Sequence, residues 1–213
     1  IFSKKSKMSM AATSVVSSLL LMVAALNWLD PEITNLVPVL NSYWLLIHVA
    51  IITASYGFLA LGALLGFLSL LIMILQTKKN KGHLNLTLKE LTFINEMTIT
   101  VGLFMLSIGT FLGGVWANES WGRYWGWDPK ETWALASMLV YIFVLHMRFI
   151  PKLKSMYAFN LASLVAFSSI IMTYFGVNFY LSGLHSYAAG DPMPIPDFVP
   201  YSIIIVFRYR GEI

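Results

Sequence analysis

Residues 43–77 read YWLLIHVAIITASYGFLALGALLGFLSLLIMILQT, a run without Asp, Glu, Lys or Arg in which His48 is the one side chain that titrates near neutral pH. A helix needs roughly 20 apolar residues to cross a hydrocarbon core of about 30 Å, so this run is long enough to span a membrane. Four further stretches qualify: about 8–28, 97–118, 130–149 and 155–182. The fourth span reaches full length only with Lys130, Glu131 and Arg148 placed in the interfaces. The expected fold is therefore all-α, a polytopic bundle of about five transmembrane helices forming one domain over residues 1–213. Residues 198–207 are too short to cross and read as an interfacial segment or the start of a further helix.

Composition agrees with that solvent. Of 213 residues, 58% are hydrophobic and only 11% charged, and the mean hydropathy is +0.72. The net charge of +4 does not signal nucleic acid, because the basic residues fall in clusters between apolar runs. Lys4, Lys5, Lys7, then Lys78, Lys79, Lys81, Lys89, then Arg148, Lys152 and Lys154 share one side if the helices alternate, and that side is read as cytoplasmic. The chain has no cysteine, which excludes disulfides, zinc-thiolate sites, iron-sulfur clusters and a Cys-x-x-Cys-His attachment motif of its own. Gly62 and Gly66, and again Gly109 and Gly113, sit four apart, where small residues let helices approach. At this level they read as packing devices alone.

On the outer side, residues 116–133 read WANESWGRYWGWDPKETW, placing five of the chain's seven tryptophans in 18 residues. One reading is an interfacial aromatic belt. The other is an indole-lined platform for a large planar ligand, with Trp116, Trp121, Trp125 and Trp127 as its rings, since a belt scatters one or two such residues per helix end. Asp128-Pro129-Lys130-Glu131 has the spacing of an N-cap, a Pro at the first helical position and an acidic third residue, so Asp128 is expected to fix where the loop stops. Arg123 and Lys130 are either solvated or paired with ligand carboxylates.

Histidine is uncommon in spans and carries a functional hypothesis by default. His48, near the outer end of the second span, and His185, where the fifth emerges, flank the level of the tryptophan loop. Two neutral imidazoles could ligate the iron of a haem from both faces, held without a covalent bond. His146 lies about 16 residues of helix, roughly 24 Å, from Glu131, too far to share that haem. It either snorkels beside Arg148 or ligates a second haem deeper in the membrane. His83 reads as a solvated residue of a Lys-rich loop.

The segment WGRYWGWDPKETW, preceded by GGVWA and accompanied by His48 and GLHSY, resembles the haem-handling family of cytochrome c biogenesis proteins, specifically the CcsA type. The resemblance implies that the loop cradles haem b between His48 and His185, with His146 as a further ligand to haem on its way across. It implies a part in a cytochrome c synthase, or haem lyase, complex. The implied partners are a CcsB-type subunit or fused domain, an apocytochrome c bearing Cys-x-x-Cys-His, proteins that keep its thiols reduced, and the lipid bilayer. It also implies a bacterial inner membrane with the haem site facing the periplasm, a thylakoid membrane being the alternative. Family members continue as a further span where this sequence has only residues 198–207 before Arg208. Two other functions fit the residues: a CcmC-like exporter that loads a haem chaperone, and a haem-free proton-coupled transporter using His146 as relay.

Overall fold

The computed structural model describes residues 7–25, 42–77, 81–181, 183–185 and 201. Among them every regular element is helical. Helix α1 is Lys7–Ala25, α2 Tyr43–Leu75, α3 Lys81–Trp121, α4 Pro129–His146 and α5 Met156–Ile171. A 3-10 turn, Met147–Phe149, ends α4, and one π turn, Met172–Gly176, carries α5 into the short α6, Val177–Tyr180. Four segments of the described residues are long and apolar enough to cross a membrane: Tyr43–Leu75, Leu84–Trp121, Pro129–Phe149 and Met156–Tyr180. They make the chain a multi-pass membrane protein. The first expected span is present as the 19-residue α1, outside those four.

The main departure from expectation is the start of α3. The stretch before residue 97, with Lys89, Glu90 and Glu96, reads as a charged loop but is helical from Lys81 onward, so His83 lies within α3. Leu88 and Leu91 are the reason: both are buried, and Leu91 and Ile94 join Leu65 of α2 in a small apolar cluster. Burial of such a stripe outweighs the cost of helical charged residues, whose heads remain outside. Gln76 Nε2 donates to Asn85 Oδ1 at 2.7 Å across the hairpin between α2 and α3. At 41 residues, α3 is about 60 Å long, twice the hydrocarbon thickness.

The core is drawn from α2, α3, α4 and α5, with Leu59, Ile99, Leu106, Tyr141, Val144, Ala166 and Ile170 all buried together. Lipid offers no hydrophobic drive between helices, so close packing and polar contacts must hold them. Gly66 supplies the packing: a Cβ there would lie 2.4 Å from Ser163 Oγ and 2.7 Å from the Asn160 carbonyl. Asn95 supplies the polar link, its Nδ2 donating to Asn160 Oδ1 at 3.1 Å and to Ser163 Oγ at 2.9 Å. This fixes α2, α3 and α5 in register. The tryptophan loop and His185 then lie at one end of the bundle, and the 147–155 turn with Arg148, Lys152 and Lys154 lies at the other. The loops carrying Asp30 and Glu32, the basic clusters at 4–5 and 78–79, and the stretch 198–207 fall outside the described residues, apart from Tyr201.

Candidate functional site

His48 and His185 come to one place although 137 positions of sequence separate them: both line a cleft of about 920 Å3, open mouth included, whose walls also carry Trp116, Trp125, Lys130 and Tyr174. His48 projects from α2 onto α3. Its Nδ1 donates to the Gly109 carbonyl at 2.6 Å, and its ring lies against Gly113, where a Cβ would stand 2.5 Å from Cε1. Gly109 and Gly113 are therefore more than packing devices. One orients the imidazole and the other makes room for it.

His185 is held by Asp128. Its Nδ1 donates to Asp128 Oδ2 at 3.0 Å, while Asp128 Oδ1 accepts from the Leu184 N–H at 2.7 Å. The same carboxylate accepts the Lys130 N–H at 3.2 Å as the expected N-cap of α4. One buried side chain thus starts a helix and pins the chain that emerges after α6. Gly183 allows it, because a Cβ there would stand 2.2 Å from Asp128 Oδ1. Burial pushes the His185 imidazole below its ordinary 6.5, more than the neighbouring Asp128 pulls it up. It is neutral at pH 7, and its contact with Asp128 is a hydrogen bond from a neutral ring. In both histidines an oxygen that can only accept assigns the proton to Nδ1 and leaves the Nε2 lone pair free. That is the state of a metal-ligating imidazole with its other nitrogen engaged.

The tryptophans do not form one flat floor. Trp116, 1% exposed, packs on Trp121 with centroids 4.8 Å apart at 70°, and Trp121 packs edge-on to His185 at 4.8 Å and 89°. Trp116 and Trp125 line the cleft, while Trp121 backs His185 from behind. The Trp121 Nε1–H is buried without an acceptor among the described residues. Trp127 points away, 70% exposed, and meets Trp125 edge to face at 5.8 Å. The divergence has a backbone cause: Trp127 adopts a φ of +58°, a left-handed conformation costly for a bulky residue.

Glu131 holds that turn, a role its spacing from Asp128 announces only in part. Its Oε2 accepts the Gly126 N–H at 2.7 Å and the Asp128 N–H at 3.2 Å. Its Oε1 faces Arg123 Nη1 at 3.6 Å. Arg123 lies over Trp121, its guanidinium carbon 5.8 Å from the ring, and it does not line the cleft. Lys130 does, with Nζ donating to Asn178 Oδ1 at 2.7 Å. Of the two basic candidates, Lys130 is the one placed to meet a ligand carboxylate.

His146 stands apart at the other end, its side chain exposed, with Nδ1 donating to the Ile142 carbonyl of its own helix at 2.7 Å. Its ring lies beside Phe149 at 5.8 Å. Beside it Arg148 pairs with Glu96 of α3. Among the described residues no second histidine joins His146.

The model of the family described as cytochrome C assembly protein matches residues 1–185. The chain belongs to that family. Protein NrfI of Wolinella succinogenes is 53% identical over 194 residues, covering 91% of this chain and 21% of that protein. Cytochrome c biogenesis protein CcsA of Guillardia theta is 40% identical over 171 residues, covering 71% of this chain and 56% of its own. The Synechococcus sp. (strain CC9902) protein of the same name is 41% identical over 177 residues, covering 71% and 58%. The chain thus spans about a fifth of the first relative and somewhat over half of the other two. As a member of the family it is a CcsA-type protein of cytochrome c biogenesis.

Proposed function

We propose that this protein binds haem b as its substrate in the cleft at the tryptophan-loop end and presents it for covalent attachment to an apocytochrome c. The observation that carries the reading is the pair of imidazoles, His48 and His185. Each has Nδ1 engaged and Nε2 free, and both line one cleft with Trp116 and Trp125. Those residues fit the group: two neutral nitrogen donors, apolar indole walls and a cation, Lys130, for its carboxylates. When bound, haem supplies the iron that the imidazoles ligate and the vinyl groups to which the acceptor's Cys-x-x-Cys thiols add.

The chain's own residues position and protect. Asp128 and the Gly109 carbonyl fix both ring tautomers. Trp116 and Trp125 keep water from the cleft wall, and Lys130 orients an anionic edge. With no cysteine of its own, the protein depends on an acceptor kept reduced by thiol-reducing partners. The cleft faces the periplasm of a bacterial inner membrane in this reading. His146 at the other end is a ligand for a second haem, whose other imidazole a CcsB-type partner or fused domain provides.

The test is spectroscopic. Purified protein shows the absorption bands of bis-histidine haem, and H48A or H185A lowers occupancy or shifts those bands. Unchanged spectra together with unchanged cytochrome c maturation in both variants would defeat the assignment.

A further inference from the structure

A second cavity lies at the opposite end of the bundle, about 410 Å3 with its open mouth included, lined in part by Thr92, Glu96, Arg148, Lys154, Ser155 and Phe159. Three helices meet there: α3 brings Thr92 and Glu96, the turn after α4 brings Arg148, and the start of α5 brings Ser155 and Phe159. The ionisable groups of the lining are two cations and one carboxylate. Its formal charge is therefore a single positive one.

Each charged group has a definite disposition. Glu96 pairs with Arg148, and the Arg148 guanidinium also lies 5.4 Å from the Phe149 ring centre. The arginine is therefore held at the cavity edge. Lys154 has no ion-pair partner among the described residues. The hydroxyls are arranged as donors: Ser155 Oγ accepts the Ala158 N–H at 3.1 Å, and Thr92 Oγ1 accepts from Asn160 Nδ2 at 2.8 Å. With their oxygens engaged as acceptors, both hydroxyl hydrogens are available to a guest. Apolar side chains stand around this end, Phe149 at 70% exposure and Tyr157 at 58%.

We propose that this cavity binds the phosphate group of an anionic phosphodiester, its charge balanced by Arg148 and Lys154. A phosphodiester carries one negative charge, which matches the surplus of the lining. Its tetrahedral oxygens can meet donors on three walls, where a planar carboxylate meets two. The exposed aromatic flank suits the acyl chains of a phospholipid bearing that headgroup. The site is independent of the cleft at the other end.

The experiment uses the full chain in a neutral detergent, following the thermal unfolding midpoint while mixed micelles are enriched in phosphatidylglycerol. Phosphatidylcholine micelles and inorganic phosphate form separate arms. A saturable rise with phosphatidylglycerol is expected, with K154Q weakening its half-saturation about fivefold, the contribution of one basic residue at an anionic surface. R148Q weakens it at least as much. K152Q serves as the contrast, because Lys152 is exposed in the same turn and does not line the cavity. It leaves half-saturation within twofold of the parent. A saturable response to phosphatidylglycerol that inorganic phosphate does not reproduce supports the proposal, and an equal response to inorganic phosphate overturns the phosphodiester in favour of the free ion. No saturable response in either arm, or a loss in K152Q equal to that in K154Q, overturns the proposal, the latter by showing diffuse surface attraction.

Discussion

Glu131 offers the sharpest test of how the cleft is built, because one carboxylate oxygen restrains both neighbours of the strained residue. E131A removes the acceptor for Gly126 N–H and Asp128 N–H, bonds of 2.7 and 3.2 Å. Hydrogen bonds to a charged group contribute about 1.5–3 kcal/mol each, and we take the lower end, about 3 kcal/mol for the two, since this loop is partly solvated. Against that stands about 1–2 kcal/mol for a bulky residue in the left-handed region at Trp127. The surplus of about 1–2 kcal/mol keeps Trp125 in the cleft wall. Losing it weakens haem binding by roughly tenfold, at 1.4 kcal/mol per decade. The assay is an absorption titration of purified protein with haem. E131Q keeps an oxygen acceptor but gives up the charge assistance of the two bonds and the long contact to Arg123, the latter of small worth for a partly exposed pair, so its haem affinity falls between those of the parent and E131A. W127G in the E131A background relieves the strain of the left-handed turn and recovers part of the loss. The reasoning is refuted if E131A binds as tightly as the parent, if E131Q is as weak as E131A, or if W127G recovers nothing.

G113A should displace the His48 ring, since the new Cβ would stand 2.5 Å from it. The strain is about 1–3 kcal/mol, and we expect altered haem bands with an unfolding midpoint several degrees below the parent's; unaltered bands would show that His48 does not ligate. The neutral state of His185 makes stability fall with acidification. Its native pKa lies below 6.5, so the unfolded chain binds the proton first and stability is lost as pH drops through 6.5. D128N removes the group that pulls the pKa up, and its unfolding midpoint should fall more steeply with acid than the parent's. A shallower slope would contradict the assignment.

The helices were legible because lipid demands long apolar runs and internally satisfied backbone, which constrains sequence more tightly than a soluble core does. The start of α3 was not, since its charges dominate a local reading while the burial of Leu88 and Leu91 depends on a helix already present to receive them. The three-residue spacing of Asp128 and Glu131 foretold a capping box, and the box is there. Nothing local could foretell that Asp128 also holds His185, 57 positions later, or that Gly109 and Gly113 serve His48, more than 60 positions earlier. Those pairings arise only when helices pack.

The same distinction explains why the tryptophan cluster was found and its geometry was not. Composition identifies where the indoles gather. The divergence of Trp125 and Trp127 goes with one dihedral, the +58° at Trp127, and with the carboxylate that bonds the residues on either side of it. With an ordinary extended backbone at that residue, Trp125 and Trp127 would follow the alternation of a strand and share one face. Glu131 instead separates them, Trp125 into the cleft and Trp127 outward. The two indoles that wall the cleft, Trp116 and Trp125, are each met edge to face by a ring outside it, Trp121 and Trp127. A short polar scaffold, Asp128, Glu131 and the Gly109 carbonyl, sets the position of the two imidazoles together with the wall beside them, and the proposed binding of one large planar guest rests on that fixed position.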